Sequence, residues 1–223
     1  MITAIVSAYY AKQYIRRRLE NLTSLEVTPE IVVVAQAGSY EAEIANEYTD
    51  IVIKTENIPT IYEAWNIAIQ HATGEYITNA NCDDYTYRGS LSKLAGMLDK
   101  YPGVALVYGD NFIVDGDRKI YHCRKYGDYE FLKTCCFVGP MPMWRKSLHD
   151  KYGLFADQYR VCGDYEFWLR IASHSEIICK ADVIVGEYSR RPDSAEHRNP
   201  QLAQDEKNYI QSFYRPIALR DKI

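Results

Sequence analysis

A buried strand and its polar exit are encoded by Gly74-Glu75-Tyr76-Ile77-Thr78-Asn79-Ala80-Asn81-Cys82-Asp83-Asp84. Buried strands of α/β proteins are short, and ligands bind outside their carboxyl ends. Two adjacent carboxylates repel each other unless a cation or a network of donors offsets their charge. The stretch therefore predicts a strand that delivers Asp83 and Asp84 to a binding edge, where a divalent metal could hold a diphosphate. The alternative is a polar strand-to-loop exit in which Asp84 caps the next element.

Composition limits the classes of protein to consider. The 223 residues, 47% hydrophobic and 25% charged, suffice for one large α/β domain or two small ones. A net charge of −4 gives no reason to expect nucleic-acid binding. No stretch has the ~18 apolar residues of a membrane span, and no signal peptide is recognisable, so we expect a soluble cytoplasmic protein. The six cysteines lack zinc-ligand spacing, which favours buried, reduced thiols.

Strand and helix patterns alternate along the first half of the chain. Apolar runs typical of buried strands lie at 2–7, 31–34, 51–53, 76–78 and 104–108. Helical spacing of apolar residues predicts helices from about Ile15, from Thr60 to Ala72, and after Ser90 as N-cap. On the second of these helices, Trp65 lies on the apolar face and is expected in the core. A hairpin around Gly116 follows, and from there the alternation weakens.

Several short motifs in the first half occur in a known order. They are Asn57-Ile58-Pro59, Ala64-Trp65-Asn66-Ile67-Ala68, Ala72-Thr73-Gly74-Glu75-Tyr76-Ile77 and Asn81-Cys82-Asp83-Asp84. This order resembles the nucleotide-binding half of GT-A, family 2 glycosyltransferases, whose pattern is N-x-G, A-R-N-x-G, A-x-G-E-Y-I and D-x-D-D. The departures are Pro59 and Ala68 for Gly, Trp65 for Arg, and Asn81 for the first Asp.

The resemblance implies a set of nucleotide contacts. Ser7-Ala8-Tyr9-Tyr10 resembles the family's P-x-Y-N segment, which cradles the base. At the exit of the second strand, the family carries D-D-G-S. This chain keeps Gly38-Ser39, whereas Gln36 and Ala37 replace the two acids. A Gln amide can donate and accept at a pyrimidine edge, so a UDP-sugar is the favoured donor. The implied nucleotide-binding residues are Ser7, Ala8, Tyr9, Gln36, Asn66, Asn81, Cys82 and Asp83.

A second group of motifs lies in the other half. The segment 139–145 resembles the family's acceptor-side strand, and 162–170 resembles E-D-x-D/E-x-W-x-R, in which the second acid is the catalytic base. Gly163 replaces the first acid. The resemblance implies that Asp164 is the base and that Trp144, Gly163 and Glu166 lie on the acceptor side. The alternative is that Asp164 is only a helix N-cap.

The loop at 187–198 resembles the family's Y-R-x-H-x-x-S loop, which folds over the diphosphate. The resemblance implies that Arg190 and Arg191 contact phosphate. It also implies Mn²⁺ or Mg²⁺ on Asp83, with Asp84 or His197 as further ligands. A solvated basic loop is the alternative. Near-helical spacing of Leu202, Tyr209, Ile210 and Phe213 predicts a last helix that packs on the body or forms a homodimer contact.

Together these patterns predict a single α/β domain of the GT-A fold over residues 1–223. A nucleotide-sugar half spans about 1–110 and an acceptor half about 111–223. The expected reaction is metal-dependent, inverting sugar transfer from a UDP-sugar to a hydroxyl acceptor. A nucleotidyltransferase is an alternative, but the chain lacks a Gly-rich phosphate loop. A non-catalytic nucleotide-sugar-binding module is another, since Gln36, Asn81 and Gly163 replace family acids, although Asp164 is kept.

Overall fold

The computed structural model describes residues 1–214. Its strands are β1 (Ile2–Ala8), β2 (Glu30–Gln36), β3 (Val52–Thr55), β4 (Tyr76–Asn79), β5 (Tyr85–Thr86), β6 (Val104–Asp115), β7 (Arg118–His122), β8 (Met143–Arg145) and β9 (Ile177–Ser189). Its helices are α1 (Ile15–Thr23), α2 (Tyr40–Ala45), α3 (Ile61–His71), α4 (Ser90–Lys100), α5 (Tyr129–Leu132), α6 (Ser147–Tyr152), α7 (Gly163–Ser173), α8 (Ala195–Arg198) and α9 (Pro200–Tyr214).

One sheet runs through both predicted halves. Its order is β3-β2-β1-β4-β8-β6-β9-β5, with β7 paired to β6. Strands β1 to β4 are parallel, so the carboxyl ends of β1, β2 and β4 meet at one edge of the sheet. The predicted boundary near residue 110 falls inside β6, and residues 215–223 of the predicted acceptor half lie outside the described residues.

The sheet separates two hydrophobic clusters because successive side chains of a strand point to opposite faces. Ala4, Val6 and Val33 pack with α1, α2 and α4 on one face, while Ile5, Val32 and Ile77 pack with α3 and α7 on the other. Trp65 is buried in the second cluster, as predicted. Within residues 1–214, no helix combines the length and apolarity that a membrane crossing needs.

Capping and turn residues set the ends of several elements. Thr60 begins α3 with a capping box, in which its hydroxyl accepts from the Glu63 amide and the Glu63 carboxylate accepts from the Thr60 amide. The hairpin turns at Gly116, whose φ is +58°. The predicted N-cap Ser90 is wrong, because Gly89, at φ +79°, is the cap and Ser90 is the first helical residue. The cysteine prediction was also partly wrong, since Cys82 is buried but Cys123 is exposed.

Candidate active site

The exit of β4 carries one accessible carboxylate, that of Asp83. Arg191, in the segment after β9, places its Nε 2.7 Å from Asp83 Oδ2. The same guanidinium lies over the ring of Tyr14, 4.7 Å from its centroid. The Ser189 hydroxyl donates to the backbone carbonyl of Asp83 at 2.6 Å. The predicted basic loop is therefore joined to the predicted acidic turn, and we call Asp83, Asp84, Ser189 and Arg191 the Asp83 rim.

The neighbouring acid, Asp84, faces inward. It is 4% exposed, and its Oδ1 accepts from the backbone amide of Ser189 at 3.0 Å. Burial, followed by the like charge of Asp83, raises the pKa of Asp84 to about 7. This placement contradicts the expectation that Asp84 serves as a metal ligand, because its carboxylate bonds to the protein's own backbone.

A buried arginine behind this turn was missed from the sequence. Arg18 on α1 is 1% exposed, and its Nη1 donates to Asn21 Oδ1 at 2.8 Å and Thr86 Oγ1 at 3.0 Å. Burial lowers the pKa of Arg18, and the negative charge of Asp84 opposes that shift. The sequence could have indicated this burial, since Arg18 lies three residues after Ile15 and next to Leu19, on the buried face of α1.

The ends of β1 and β2 lie at the same sheet edge as the exit of β4. The Cys82 thiol donates to the Ser7 carbonyl at 3.4 Å, and burial raises the pKa of Cys82 to about 12. Ala8 pairs with Ala35, the residue before Gln36. The Tyr9 hydroxyl shares a 2.7 Å hydrogen bond with Thr55 Oγ1 at the end of β3. The structure thus gathers all but one of the predicted nucleotide residues along one edge.

Asn66 is the exception. Its Nδ2 donates to the Phe155 carbonyl at 2.8 Å, and its Oδ1 accepts from the Phe155 amide at 2.9 Å. Both ends of the amide therefore hold the segment after α6 against α3. Asn66 is an architectural residue in this arrangement, and a nucleotide contact for it stays a prediction.

Two other loop residues also differ from expectation. The Arg190 guanidinium lies 3.8 Å from Asp115 Oδ2, at the β6–β7 hairpin, rather than at Asp83. His197 Nδ1 lies 2.8 Å from the Ser194 hydroxyl. In the part of the chain that the structure describes, no group of three or more His, Cys, Asp or Glu side chains could hold a metal ion. The loop side chain on Asp83 is thus Arg191, and a metal contact of His197 stays a prediction.

Asp164 is the second residue of α7, whose N-cap is Cys162, so the N-cap interpretation is wrong. Its Oδ1 accepts from the Tyr165 amide at 2.8 Å and from the Tyr62 hydroxyl at 3.2 Å. That hydroxyl also lies 2.7 Å from the Val161 carbonyl. Two donors from different elements therefore converge on one carboxylate oxygen at a helix N-terminus, where the dipole favours negative charge.

The segment before α7 is held by the last helix. Glu206 on α9 is 8% exposed, and its carboxylate accepts from the backbone amides of Arg160, Val161 and Cys162 at 2.7 to 2.9 Å. The predicted last helix therefore packs on the body of the domain. We call Tyr62, Val161, Asp164 and Glu206 the Asp164 corner. Glu206 and Tyr62 were not identified from the sequence.

The residues predicted on the acceptor side have structural contacts. Trp144 is fully buried and its Nε1 donates to His149 Nε2 at 2.9 Å. Glu166 forms a 2.6 Å ion pair with Arg170, which also donates to the carbonyls of Tyr152 and Leu154. The Trp144 assignment is corrected, because a fully buried side chain cannot contact an acceptor. Glu166 ties α7 to the preceding turn through Arg170, and its place on the acceptor side stays a prediction. Gly163 lies against the ring of Tyr62.

Comparisons of sequence identify the family of the chain. The family model described as glycosyl transferase family 2 matches residues 3–155. An uncharacterized glycosyltransferase, YwdF of Bacillus subtilis, is 24% identical over 226 residues, covering 94% of this chain and 81% of its own. A PGL/p-HBAD biosynthesis glycosyltransferase of Mycobacterium tuberculosis is 23% identical over 168 residues, covering 72% and 65%. The chain spans less than two thirds of that relative and 63% of RP339 of Rickettsia prowazekii.

Solved structures share the fold. TarS of S. aureus, in complex with UDP-GlcNAc, superposes with a TM-score of 0.72 at 17% identity, covering 96% of this chain and 71% of that one. The mannosyltransferase PcManGT of Pyrobaculum calidifontis, in complex with GDP-Man and Mn²⁺, also gives 0.72, at 19% identity, covering 96% and 64%. These likenesses confirm the predicted α/β fold of the GT-A type.

Proposed function

The chain belongs to glycosyl transferase family 2, and from this we propose that it moves a sugar from a nucleotide diphosphate sugar to a hydroxyl acceptor. A UDP-sugar is the favoured donor, and the anomeric centre is inverted. The observation that carries the proposal is the sheet edge at which the ends of β1 and β2 meet the Asp83–Arg191 pair. Ligands of open α/β sheets bind at such an edge.

The donor is bound by groups of that edge. The base lies at the backbone of Ser7 and Ala8 and at the ring of Tyr9, with the Gln36 amide at its pyrimidine edge. The diphosphate lies at the Asp83 rim, where Arg191 supplies a guanidinium suited to phosphate oxygens. Among the relatives, TarS is seen with UDP-GlcNAc and PcManGT with GDP-Man, so both base types occur on this fold.

The donor set of the β4 exit suits a hard divalent metal such as Mn²⁺ or Mg²⁺. Mg²⁺ is usually held by one or two carboxylates together with substrate phosphates and water, rather than by a full protein cage. Asp83 would hold the ion, with Asn81 as a neutral oxygen ligand. A bound metal supplies positive charge that stabilises the departing diphosphate.

Asp164 is the general base of the proposed reaction. Its carboxylate takes the proton of the acceptor hydroxyl while that oxygen bonds to the anomeric carbon. The bond between the anomeric carbon and the diphosphate oxygen breaks in the same displacement, and the electron pair leaves with the nucleotide diphosphate. Arg191 stabilises the charge that develops on that leaving group.

A thermal-shift panel of UDP-, dTDP-, GDP- and CMP-sugars, with Mn²⁺ and with EDTA, tests the donor part. Ligands that bind the native state raise the melting temperature, so UDP-sugars with Mn²⁺ should give the largest rise and Asp83→Ala should lose most of it. A larger shift with GDP-sugars would overturn the pyrimidine assignment. An equal rise in melting temperature in EDTA would show that donor binding needs no metal and would overturn the metal assignment. Absence of both binding and sugar transfer across the panel would contradict the proposed function.

A further inference from the structure

Tyr62 contacts the proposed base from a different helix. It is 3% exposed, and its hydroxyl lies 2.7 Å from the Val161 carbonyl and 3.2 Å from Asp164 Oδ1. Burial, followed by the charge of Asp164, raises the pKa of Tyr62 well above its ordinary value. The phenol therefore keeps its proton at neutral pH. The Val161 carbonyl oxygen and Asp164 Oδ1 both accept that one proton.

The ring of Tyr62 fills the space beside Gly163. A Cβ at position 163 would lie 2.7 Å from Cδ2 and from Cε2 of Tyr62 and 2.9 Å from its Cζ. Trp65 and Phe155 pack on the ring, with centroids at 5.4 and 5.9 Å, and restrict its movement. Glycine at 163 is thus the residue that admits the tyrosine, at the position where the family motif has an acid.

The second acceptor of the phenol is also fixed. Val161 lies in the segment whose amides donate to the buried Glu206 carboxylate, so its carbonyl has little freedom to turn. The hydroxyl of Tyr62 is therefore held between a rigid backbone carbonyl and the Asp164 carboxylate.

We propose that Tyr62 is a positioning residue for the general base, and that its hydroxyl fixes the Asp164 carboxylate in the orientation that takes the acceptor proton. The inference rests on the proposed role of Asp164. In this arrangement the tyrosine occupies the place of the family's first acid, and Gly163 and Tyr62 form one unit.

Tyr62→Phe tests the proposal because it keeps the ring and removes the hydroxyl. Sugar transfer should show kcat lowered about 10- to 100-fold, the effect of a misplaced reacting group, with the donor KM and the melting temperature close to wild type. Tyr108→Phe is the matched control, since Tyr108 is also buried and its hydroxyl donates to the Lys125 carbonyl at 2.7 Å. The control should keep the wild-type kcat.

Gly163→Ala is a second variant, which keeps the hydroxyl group but displaces the ring that carries it away from Asp164. It should lower kcat with the donor KM unchanged, even if Tyr62→Phe does not fold. In an Asp164→Asn background, Tyr62→Phe should cause no additional loss of kcat, because both changes act on one group. A full additional loss would overturn the proposal.

These variants distinguish the role of Tyr62 from the role of Asp164. Loss of transfer in Asp164→Asn with wild-type kcat in Tyr62→Phe would overturn the role of Tyr62 and leave the proposed function intact. Wild-type transfer by Asp164→Asn would overturn the base assignment and the role of Tyr62 with it.

Discussion

The Asp83 rim and the Asp164 corner are built in opposite ways. At the rim, a carboxylate and a guanidinium neutralise each other at 2.7 Å while both keep some contact with solvent. At the corner, the carboxylate accepts from a backbone amide and from a buried phenol, and a buried Glu206 holds the adjoining segment. The rim can exchange its ion pair for a charged ligand. The corner has its geometry fixed before any ligand arrives, which suits a group that moves a proton.

The largest expected effect is at the corner. Asp164→Asn keeps the size of the side chain but cannot take a proton, so sugar transfer should fall about 10²- to 10⁴-fold. The melting temperature should change little, since the Asn oxygen can still accept the bonds to Oδ1. Product formation measured beside the melting curve checks this, and a wild-type rate would contradict it.

The aromatic cluster packed against α7, the helix that carries Asp164, should make the folded protein less stable in acid. His149 is stacked on Phe167, and burial lowers its pKa from 6.5 to about 4. A depressed histidine pKa contributes stability that is fully present above pH 6.5 and is lost as the pH falls through 4. The contribution is at most on the order of 3 kcal/mol.

His149→Gln removes this titration and can still accept from Trp144. Its melting temperature should therefore approach that of wild type as the pH is lowered from 7 to 4. A constant difference between the two proteins across that range would show that His149 does not titrate in the core.

At the rim, Arg191→Ala should weaken UDP binding about 10- to 100-fold, the size of one or two charge-assisted hydrogen bonds. The kcat at saturating donor should fall less than in Asp164→Asn. Arg190→Ala is the matched control, because Arg190 pairs with Asp115 on the hairpin. Equal losses of affinity in the two variants would indicate a general charge effect rather than a specific contact of Arg191.

The smallest effect concerns the tie between α9 and the corner. Glu206→Gln keeps one acceptor oxygen for the amides of Val161 and Cys162, but its NH2 group cannot accept from the Arg160 amide, which should cost about 1 kcal/mol of stability. The melting temperature should drop by roughly 2–4 °C. Asp205→Asn, on the exposed side of the same helix, should cause no measurable change. A similar drop in melting temperature in both variants would show that the bonds from Glu206 to residues 160–162 do not stabilise the fold specifically.

Much of the fold followed from the sequence because local signals agreed with it. The apolar runs and the turn at Gly116 each depend on neighbouring residues and were predicted correctly, whereas the cap at Thr60 was not identified. The β4 exit was identified through the resemblance of the surrounding motifs to the family, because a pair of adjacent acids after a strand does not by itself indicate a site. Its partner Arg191 was among the predicted loop residues.

The missed or misplaced residues have long-range contacts. Glu206 reaches its partners only because α9 packs against residues 160–162. Tyr62 reaches Asp164 only because α3 lies beside α7. Asn66 likewise has a partner, Phe155, that spacing does not reveal, whereas Glu166 and Arg170 form an i,i+4 pair that helical spacing could have shown. The glycine at 163 was the one local sign of the Tyr62 contact, because glycine often marks a close approach.

In the proposed reaction, donor binding belongs to the Asp83 rim and proton transfer to the Asp164 corner. Calorimetric titration of UDP with Mn²⁺ into Asp164→Asn and Asp83→Ala tests this division. The dissociation constant for Asp164→Asn should equal that of the wild type, while Asp83→Ala should lose most of its affinity. A loss of UDP affinity in Asp164→Asn comparable to that in Asp83→Ala, with both proteins folded, would contradict the division between the two sites.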